Sequence, residues 1–238
     1  MRGRVVVIGL AMAAGLTACG PGGATHPSAA GKDDRVRYVA LGDSYTIGTS
    51  VDAAERWPNQ LAQRVTELEL VGNPAVNGYT SADLIADELP RLDDLDPELV
   101  TLLIGVNDVV QDVADSQYEA NVAVILEDLL ARVPAERIVC VATPDYTRTP
   151  RGGDYGDPIE RSDAIVRFNA ILREACEGRG AAFVPEIFEI SQEVIADPSL
   201  AADDGLHPSG AQYRRWVDAI EPVVRGVLDR TSADVTTA

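Results

Sequence analysis

The chain has 238 residues, and 46% of them are hydrophobic, which is enough for the core of one α/β domain. Its formal net charge is −18, and a surface this acidic repels nucleic acid and anionic lipid head groups. We therefore expect no nucleic-acid partner and no membrane binding through the protein surface itself. No internal repeat is evident in the sequence. We predict that the protein is a monomer.

The N-terminus resembles the export signal of a bacterial lipoprotein. A start with two arginines leads into an apolar run at residues 5–16 that is too short to span a bilayer comfortably. The run ends in Leu-Thr-Ala-Cys, which resembles a lipobox and implies cleavage after Ala18 and lipid attachment to Cys19. The alternative is an ordinary secretory signal in which Cys19 occurs by chance.

The composition divides the chain into four predicted parts. We predict a signal peptide at 1–18, a flexible tether rich in glycine, proline and alanine at 19–35, a folded domain at 36–230 and a disordered tail at 231–238. The mature protein is then expected outside the cytoplasm, held on the cell membrane by the lipid on Cys19.

The apolar pattern of the folded domain predicts alternating strands and helices. In chain order, the predicted elements are a strand at 36–41, a helix at 57–68, a short strand at 68–71, a helix at 81–89 that Pro90 ends, a strand at 99–104, a helix around 122–130, a strand at 137–142, a helix around 165–175, a last strand at 182–184, and a helix opened by a capping box at 209–212.

This alternation favours a three-layer α/β/α fold, with helices on both faces of a mostly parallel sheet of about five strands. Functional sites in such sheets form at the carboxyl ends of the strands. Polar segments at 42–44, 105–108, 143–158 and 204–207 each follow a predicted strand. We therefore expect these four segments to converge at one edge of the sheet.

Two cysteines remain once Cys19 is lipidated. Cys140 lies in an apolar strand-like run, and Cys176 lies on the apolar face of the next helix, so adjacent elements could bring them together. A disulfide and a pair of buried free thiols are both open interpretations. A catalytic thiol is disfavoured, because neither cysteine has a histidine or a basic cluster nearby in the sequence.

His207 is the one histidine expected within the folded domain, because His26 falls in the tether. Histidine is the side chain suited to acid–base work at neutral pH, and Ser44 is a candidate nucleophile that needs such a base. Asp204 lies three residues before His207, so in a turn its carboxylate can reach back to Nδ1 of the imidazole.

A serine nucleophile also needs donors for the oxyanion that it creates. The candidates are the backbone N–H groups of Ser44 and Gly78 and the side-chain amide of Asn107. Each of these segments alone is a weak signal, since glycine, asparagine and aspartate suit ordinary turns.

A cation site is the competing interpretation of the acidic residues. Asp43, Asp108 and Asp204 could hold Mg²⁺ or Ca²⁺, whereas a histidine-rich transition-metal site is nearly excluded by the two histidines. We predict no metal and no cofactor.

Taken together and in order, the segments resemble the SGNH hydrolase superfamily, also called GDSL-type esterases and lipases. The resemblance spans about residues 36–228, and Tyr45 stands where the literal motif has leucine. It implies a flavodoxin-like fold and metal-free ester hydrolysis through an acyl-enzyme. By the same resemblance, the catalytic residues are Ser44, Asp204 and His207, and the oxyanion hole is Ser44, Gly78 and Asn107.

The substrate is less well defined by the sequence. We interpret segment 143–158 as a mobile flap whose Arg148 or Arg151 meets a polar or anionic substrate, with a solvated loop as the alternative. No long apolar lid is evident, which favours a short-acyl or carbohydrate-linked ester over triglyceride. The rival functions are a non-catalytic surface binding lipoprotein on the same fold and a phosphoesterase built on the same sheet, which would need a metal or a phosphate-binding basic cluster.

Overall fold

The computed structural model describes the backbone of residues 34–236 and the side chains of residues 34–230. The predicted signal peptide, the lipidation site Cys19 and almost all of the predicted tether lie outside the described residues, so these stay predictions. Within the described part of the chain, no helix is both long enough and apolar enough to cross a membrane.

Five parallel strands form one sheet, in the order β2-β1-β3-β4-β5. Their bounds are β1 Val36–Gly42, β2 Leu68–Gly72, β3 Leu99–Leu103, β4 Ile138–Val141 and β5 Ala182–Val184. This order is the flavodoxin-like one, and the predicted fold class is confirmed. The direction of the chain across the sheet reverses between β1 and β3, and ligands of such sheets bind at the carboxyl ends of the strands beside that point.

Nine α-helices surround the sheet in the described residues. They are α1 Ser44–Ile47, α2 Trp57–Arg64, α3 Ser81–Asp83, α4 Leu92–Leu95, α5 Val106–Val110, α6 Asp115–Leu130, α7 Pro158–Glu177, α8 Ile187–Ser191 and α9 Gly210–Thr236. Shorter turns of 3₁₀ or π geometry lie at Ala53–Glu55, Leu84–Glu88, Leu89–Arg91, Ala135–Arg137, Tyr146–Arg148, Gly152–Tyr155, Gln192–Ile195 and Pro198–Leu200.

Right-handed crossovers divide the helices between the two faces of the sheet. The connection from β1 to β2 moves toward one edge of the sheet, whereas the later connections move toward the other edge. The helices of these connections, α2 and α6, therefore lie on opposite faces. The observed packing agrees, since α2 contacts α9 whereas α6 contacts α7. With both faces covered, every residue of β3 and β4 is buried, as their apolar sequences predict.

Two predicted helices differ from the structure. The helix at 57–68 ends at Arg64, because Leu68 is needed in β2, where it pairs with Val36. The helix at 81–89 is not stopped by Pro90. It widens to π geometry at Leu84–Glu88 and continues through a 3₁₀ turn in which proline occupies an early position, where its missing N–H costs nothing.

The start and the end of α9 also differ from prediction. The hydroxyl of Ser209 is buried without a hydrogen-bond partner, and Nε2 of Gln212 donates to the carbonyl of Ser191 at 3.2 Å, so the capping box does not form. Neither glycine nor proline follows Gly226, and the helix extends to Thr236. The predicted disordered tail at 231–238 therefore overlaps the last helix.

Cys140 and Cys176 are joined by a disulfide, with their Cα atoms 6.6 Å apart. It connects β4 to α7, the helix that crosses from β4 to β5, and both residues are fully buried. Of the two interpretations left open by the sequence, the structure contains the paired one.

Candidate active site

Ser44 stands directly beyond β1. Gly42 ends the strand with φ +153°, and a Cβ there would lie 2.2 Å from the carbonyl oxygen of Leu103, so only glycine fits. Asp43 then caps α1, because its Oδ1 accepts a 2.9 Å hydrogen bond from the N–H of Tyr45. Ser44 is thereby the first residue of α1, where backbone N–H groups lack acceptors within the helix.

Asp204 and His207 share a tight turn before α9. Oδ1 of Asp204 accepts from the N–H groups of Leu206 and His207 at 2.8 and 2.9 Å, and Oδ2 lies 2.6 Å from Nδ1 of His207. The N–H of Ala202 donates to the carbonyl of His207 at 2.7 Å, which closes the turn. With Nδ1 committed to Asp204, Nε2 is the ring nitrogen left for proton transfer.

The carboxyl of Asp204 is held in its charged form. Burial alone raises its pKa, but hydrogen bonds from Ser50, His207 and Leu206 outweigh that cost and hold the pKa below its usual range. A carboxylate at Nδ1 fixes the tautomer of the imidazole, with the proton on Nδ1 and the lone pair on Nε2.

Gly78 and Asn107 reach the site from the loop after β2 and from the start of α5. Gly78 has φ +84°, and a Cβ built on it would meet no atom within 4 Å, so its backbone is open to the site. Nδ2 of Asn107 donates to the carbonyl of Tyr79 at 2.9 Å. An amide nitrogen carries two hydrogens, and this bond leaves one for a further acceptor.

These residues line one cavity of about 240 Å³ at the carboxyl end of the sheet. Ser44, Gly78, Asn107 and His207 form its polar side together with Asn77. The rest of the lining is apolar or aromatic: Tyr45, Val106, Val110, Tyr146, Tyr155 and Leu206. The structure thus brings together all the residues that the sequence assigned to nucleophile, base and oxyanion donors.

The sequence profile of the GDSL-like lipase/acylhydrolase family matches residues 40–215, which is most of the chain. The chain belongs to this family. The prediction of a GDSL-type hydrolase is therefore confirmed, and the protein is an ester hydrolase by family.

Individual relatives are more distant. The chain is 25% identical to thioesterase 1/protease 1/lysophospholipase L1 of Escherichia coli K12 over 171 residues, which covers 72% of this chain and 74% of that protein. It is 23% identical over 193 residues to esterase TesA of Pseudomonas aeruginosa, covering 80% and 88%. An acetyl xylan esterase structure from Geobacillus stearothermophilus superposes with a TM-score of 0.62 at 20% identity, covering 79% and 93%.

Neither Arg148 nor Arg151, the two arginines of segment 143–158 that were expected to meet the substrate of this GDSL-type hydrolase, lines the cavity. Nε of Arg148 donates to Asp145 at 3.2 Å, and Nε of Arg151 donates to Asp154 at 2.8 Å. Carboxylates three residues away thus neutralise both cations, and the segment contributes its tyrosines to the cavity instead. That the segment is mobile stays a prediction.

The competing cation site does not form in the described residues, where no group of three or more histidine, cysteine or acidic side chains is placed to hold a metal. Asp108 instead accepts hydrogen bonds from the hydroxyl and the N–H of Ser81, at 2.5 and 2.8 Å. Asp43 serves as the cap of α1, and Asp204 serves His207.

Three residues that hydrogen-bond to residues of the site could not be identified from the sequence. Ser50 and Thr49 hydrogen-bond to Asp204 and Asn77, and Glu88 accepts from the N–H of Gly42. Hydroxyls in a turn are too common to stand out in a sequence. A glutamate in a predicted helix is ordinarily expected to face solvent, whereas the structure buries Glu88.

Proposed function

We propose that this chain is a serine esterase that hydrolyses carboxylic esters through an acyl-enzyme, with Ser44 as nucleophile and His207 as general base. The observation that carries the proposal is the 2.6 Å contact between Oδ2 of Asp204 and Nδ1 of His207, a residue that lines the same cavity as Ser44. A serine hydroxyl needs such a base, with an aspartate that orients the base, in order to act as a nucleophile near neutral pH.

The reaction proceeds in two matched halves. Oγ of Ser44 attacks the carbonyl carbon and its proton passes to Nε2 of His207, which gives that proton to the departing alkoxide. Water then attacks the acyl-enzyme, His207 takes a proton from it, and the proton returns to Oγ of Ser44 as the acid leaves. Asp204 stabilises the imidazolium that forms in each half.

Three donors serve the tetrahedral oxyanion. They are the N–H of Ser44 at the start of α1, the N–H of Gly78, and the second amide hydrogen of Asn107. The bond from Asn107 to the carbonyl of Tyr79 supports this role, because it fixes the amide before substrate arrives. Such preorganised donors lower the barrier without reorganisation during the reaction.

The cavity favours a short or compact acyl group. Its volume of about 240 Å³ is below the roughly 300–1,000 Å³ of pockets that hold drug-sized ligands. Its walls are apolar and aromatic, and no cation lines it among the described residues, which suits an uncharged acyl chain. The alcohol part, including a carbohydrate alcohol, would extend from the cavity toward solvent.

Hydrolysis of p-nitrophenyl acetate tests the proposal. The wild-type protein is expected to turn over this ester, and Ser44→Ala is expected to lose turnover with an unchanged melting temperature. Equal activity in Ser44→Ala, or an inactive folded wild type, would leave the non-catalytic binding protein as the better hypothesis. Sensitivity of the activity to EDTA would favour the phosphoesterase.

We further propose that the enzyme is exported and anchored on the cell membrane through a lipid on Cys19. The support is the basic start, the apolar run and the Leu-Thr-Ala-Cys at its end. Cys19→Ser should move the protein from the membrane fraction to the soluble fraction. Retention of this variant in the membrane would refute the anchor.

A further inference from the structure

The turn that follows α1 is tied firmly to the nucleophile. The N–H groups of Gly48 and Thr49 both donate to the carbonyl of Ser44, at 3.1 and 3.0 Å. Gly48 then takes a left-handed conformation with φ +72°, and Ser50 follows with φ +65°, which is uncommon for a residue with a Cβ. The chain therefore turns back sharply, and the positions of Thr49 and Ser50 are set relative to Ser44.

Each of the two hydroxyls in this turn reaches a different part of the site. Oγ1 of Thr49 donates to Oδ1 of Asn77 at 2.5 Å, and Asn77 precedes the proposed oxyanion donor Gly78. Oγ of Ser50 donates to Oδ2 of Asp204 at 2.6 Å. That oxygen is also the one that lies 2.6 Å from Nδ1 of His207.

We propose that Thr49 and Ser50 are positioning residues, a hydroxyl clamp that fixes the nucleophile segment to the oxyanion segment and to the Asp204–His207 pair. The proposal rests on the serine esterase function proposed above. Neither residue touches the reacting atoms: Thr49 acts through Asn77 and Gly78, and Ser50 acts through Asp204.

Ser50 also limits how strongly Asp204 holds His207. Oδ2 divides its charge between the hydroxyl of Ser50 and the Nδ1–H of His207. Without the hydroxyl, that oxygen interacts with the imidazole alone, so the bond to Nδ1–H strengthens and the protonated imidazole is favoured. The expected consequence is a base that needs a higher pH to become active.

Other charged or titratable groups near Asp204 are Arg151, Tyr45 and Tyr213. Arg151 is already paired with Asp154, and both tyrosines are buried with their pKa raised chiefly by burial. Substitution of Ser50 leaves all of these in place, so a change in pH dependence reports the lost hydroxyl.

The test compares Ser50→Gly, Thr49→Val and Ser199→Ala with the wild type, using the full chain and p-nitrophenyl acetate. Glycine suits a left-handed position, so Ser50→Gly removes the hydroxyl without distorting the turn. Ser199→Ala is the matched control, because Ser199 also donates a 2.6 Å hydrogen bond to an aspartate, Asp197, outside the cavity.

We expect Ser50→Gly to lower kcat about tenfold, as for loss of one hydrogen bond to a charged group, with little change in KM. The acidic limb of its kcat/KM profile should move to higher pH, because the bond between Asp204 and the Nδ1–H of His207 strengthens. Thr49→Val should lower kcat several-fold with the acidic limb unmoved, and Ser199→Ala should match the wild type. Wild-type kcat and pH profile in Ser50→Gly would overturn the clamp.

A spectroscopic readout keeps the proposal testable independently of turnover. The Nδ1 proton of His207, bonded to a carboxylate, should give a far-downfield ¹H NMR signal that moves further downfield in Ser50→Gly. An inactive wild type would refute the proposed esterase function. An unmoved Nδ1 proton signal in Ser50→Gly would refute the hydroxyl clamp.

Discussion

The backbone N–H of Gly42 donates a 3.0 Å hydrogen bond to Oε2 of Glu88, a carboxyl group that is fully buried behind the nucleophile turn. The other oxygen of Glu88 and Oδ2 of Asp43 are buried without a hydrogen-bond partner among the described residues. Burial therefore raises the pKa of Glu88 to about 8 and that of Asp43 to about 7. The turn that presents Ser44 thus contains one carboxyl group, that of Asp43, and packs against another, that of Glu88, and both hold their protons at mildly acidic pH.

The free energy of unfolding should therefore fall between pH 5 and pH 8. Both carboxyls titrate near pH 4 in the unfolded chain, so the folded state binds more protons across this range. Their contribution is fully present below about pH 4 and is lost as the pH rises through 7 to 8. Glu88→Gln keeps an acceptor for the N–H of Gly42 and removes one ionisation. In this variant the free energy of unfolding should fall less between pH 5 and pH 8.

Urea unfolding at pH 5 and pH 8 measures this effect. Glu127→Gln, an exposed change on α6, is the control and should keep the wild-type difference between the two pH values. A decline in Glu88→Gln as steep as that of the wild type would show that Glu88 is ionised throughout the range.

Asn107→Ala should lower kcat by about 10²–10³-fold, since removal of one oxyanion donor costs about 2.7–4 kcal/mol of barrier. KM should change little, because the donor acts mainly on the transition state. Steady-state kinetics with p-nitrophenyl acetate measures both constants. A rise in KM with unchanged kcat would instead assign Asn107 to ground-state binding.

Gly78→Ala should impair both stability and turnover. A Cβ meets no atom there, but the left-handed backbone at φ +84° costs an alanine roughly 1 kcal/mol. Any relaxation of that backbone moves the N–H away from the oxyanion. The melting temperature and kcat should both fall. An unchanged kcat would show that the N–H of Gly78 is not an oxyanion donor.

Loss of the disulfide should destabilise the fold without altering catalysis. The bridge joins cysteines 36 positions apart, and closing a loop of that size contributes about 3–4 kcal/mol by restricting the unfolded chain. The Cys140→Ala/Cys176→Ala double variant should lose about that much in urea unfolding. Its kcat should remain normal, because neither cysteine lines the cavity.

Tyr155→Ala should shift the preference of the enzyme toward longer acyl chains. The ring of Tyr155 meets Tyr146 edge-on at 6.1 Å, and together they close one side of the cavity. Removing the ring enlarges the space for the acyl group. A series of p-nitrophenyl esters from acetate to decanoate measures the optimum, and an unchanged optimum would place the acyl group elsewhere.

Much of this molecule could be predicted from its sequence, because the strongest signals are local. The apolar runs at β3 and β4 are enough to predict two buried strands. The three-residue spacing of Asp204 and His207 is enough to predict their contact. Glu88 and Ser50 could not be found this way, since their roles depend on residues 46 and 154 positions distant. The failed cap at Ser209 has the same origin, because Gln212 finds a tertiary partner in α8.

Ser50 and Asp204 meet across 154 positions of sequence, and the second of them lies in the last loop before the final helix. A chain that stops short of Asp204 lacks both the partner of Ser50 and the base His207, even if all five strands have paired. Ester turnover would therefore serve as an assay of completed synthesis and folding. A product of translation or proteolysis that ends before Asp204 would be silent in that assay, whatever its secondary structure content.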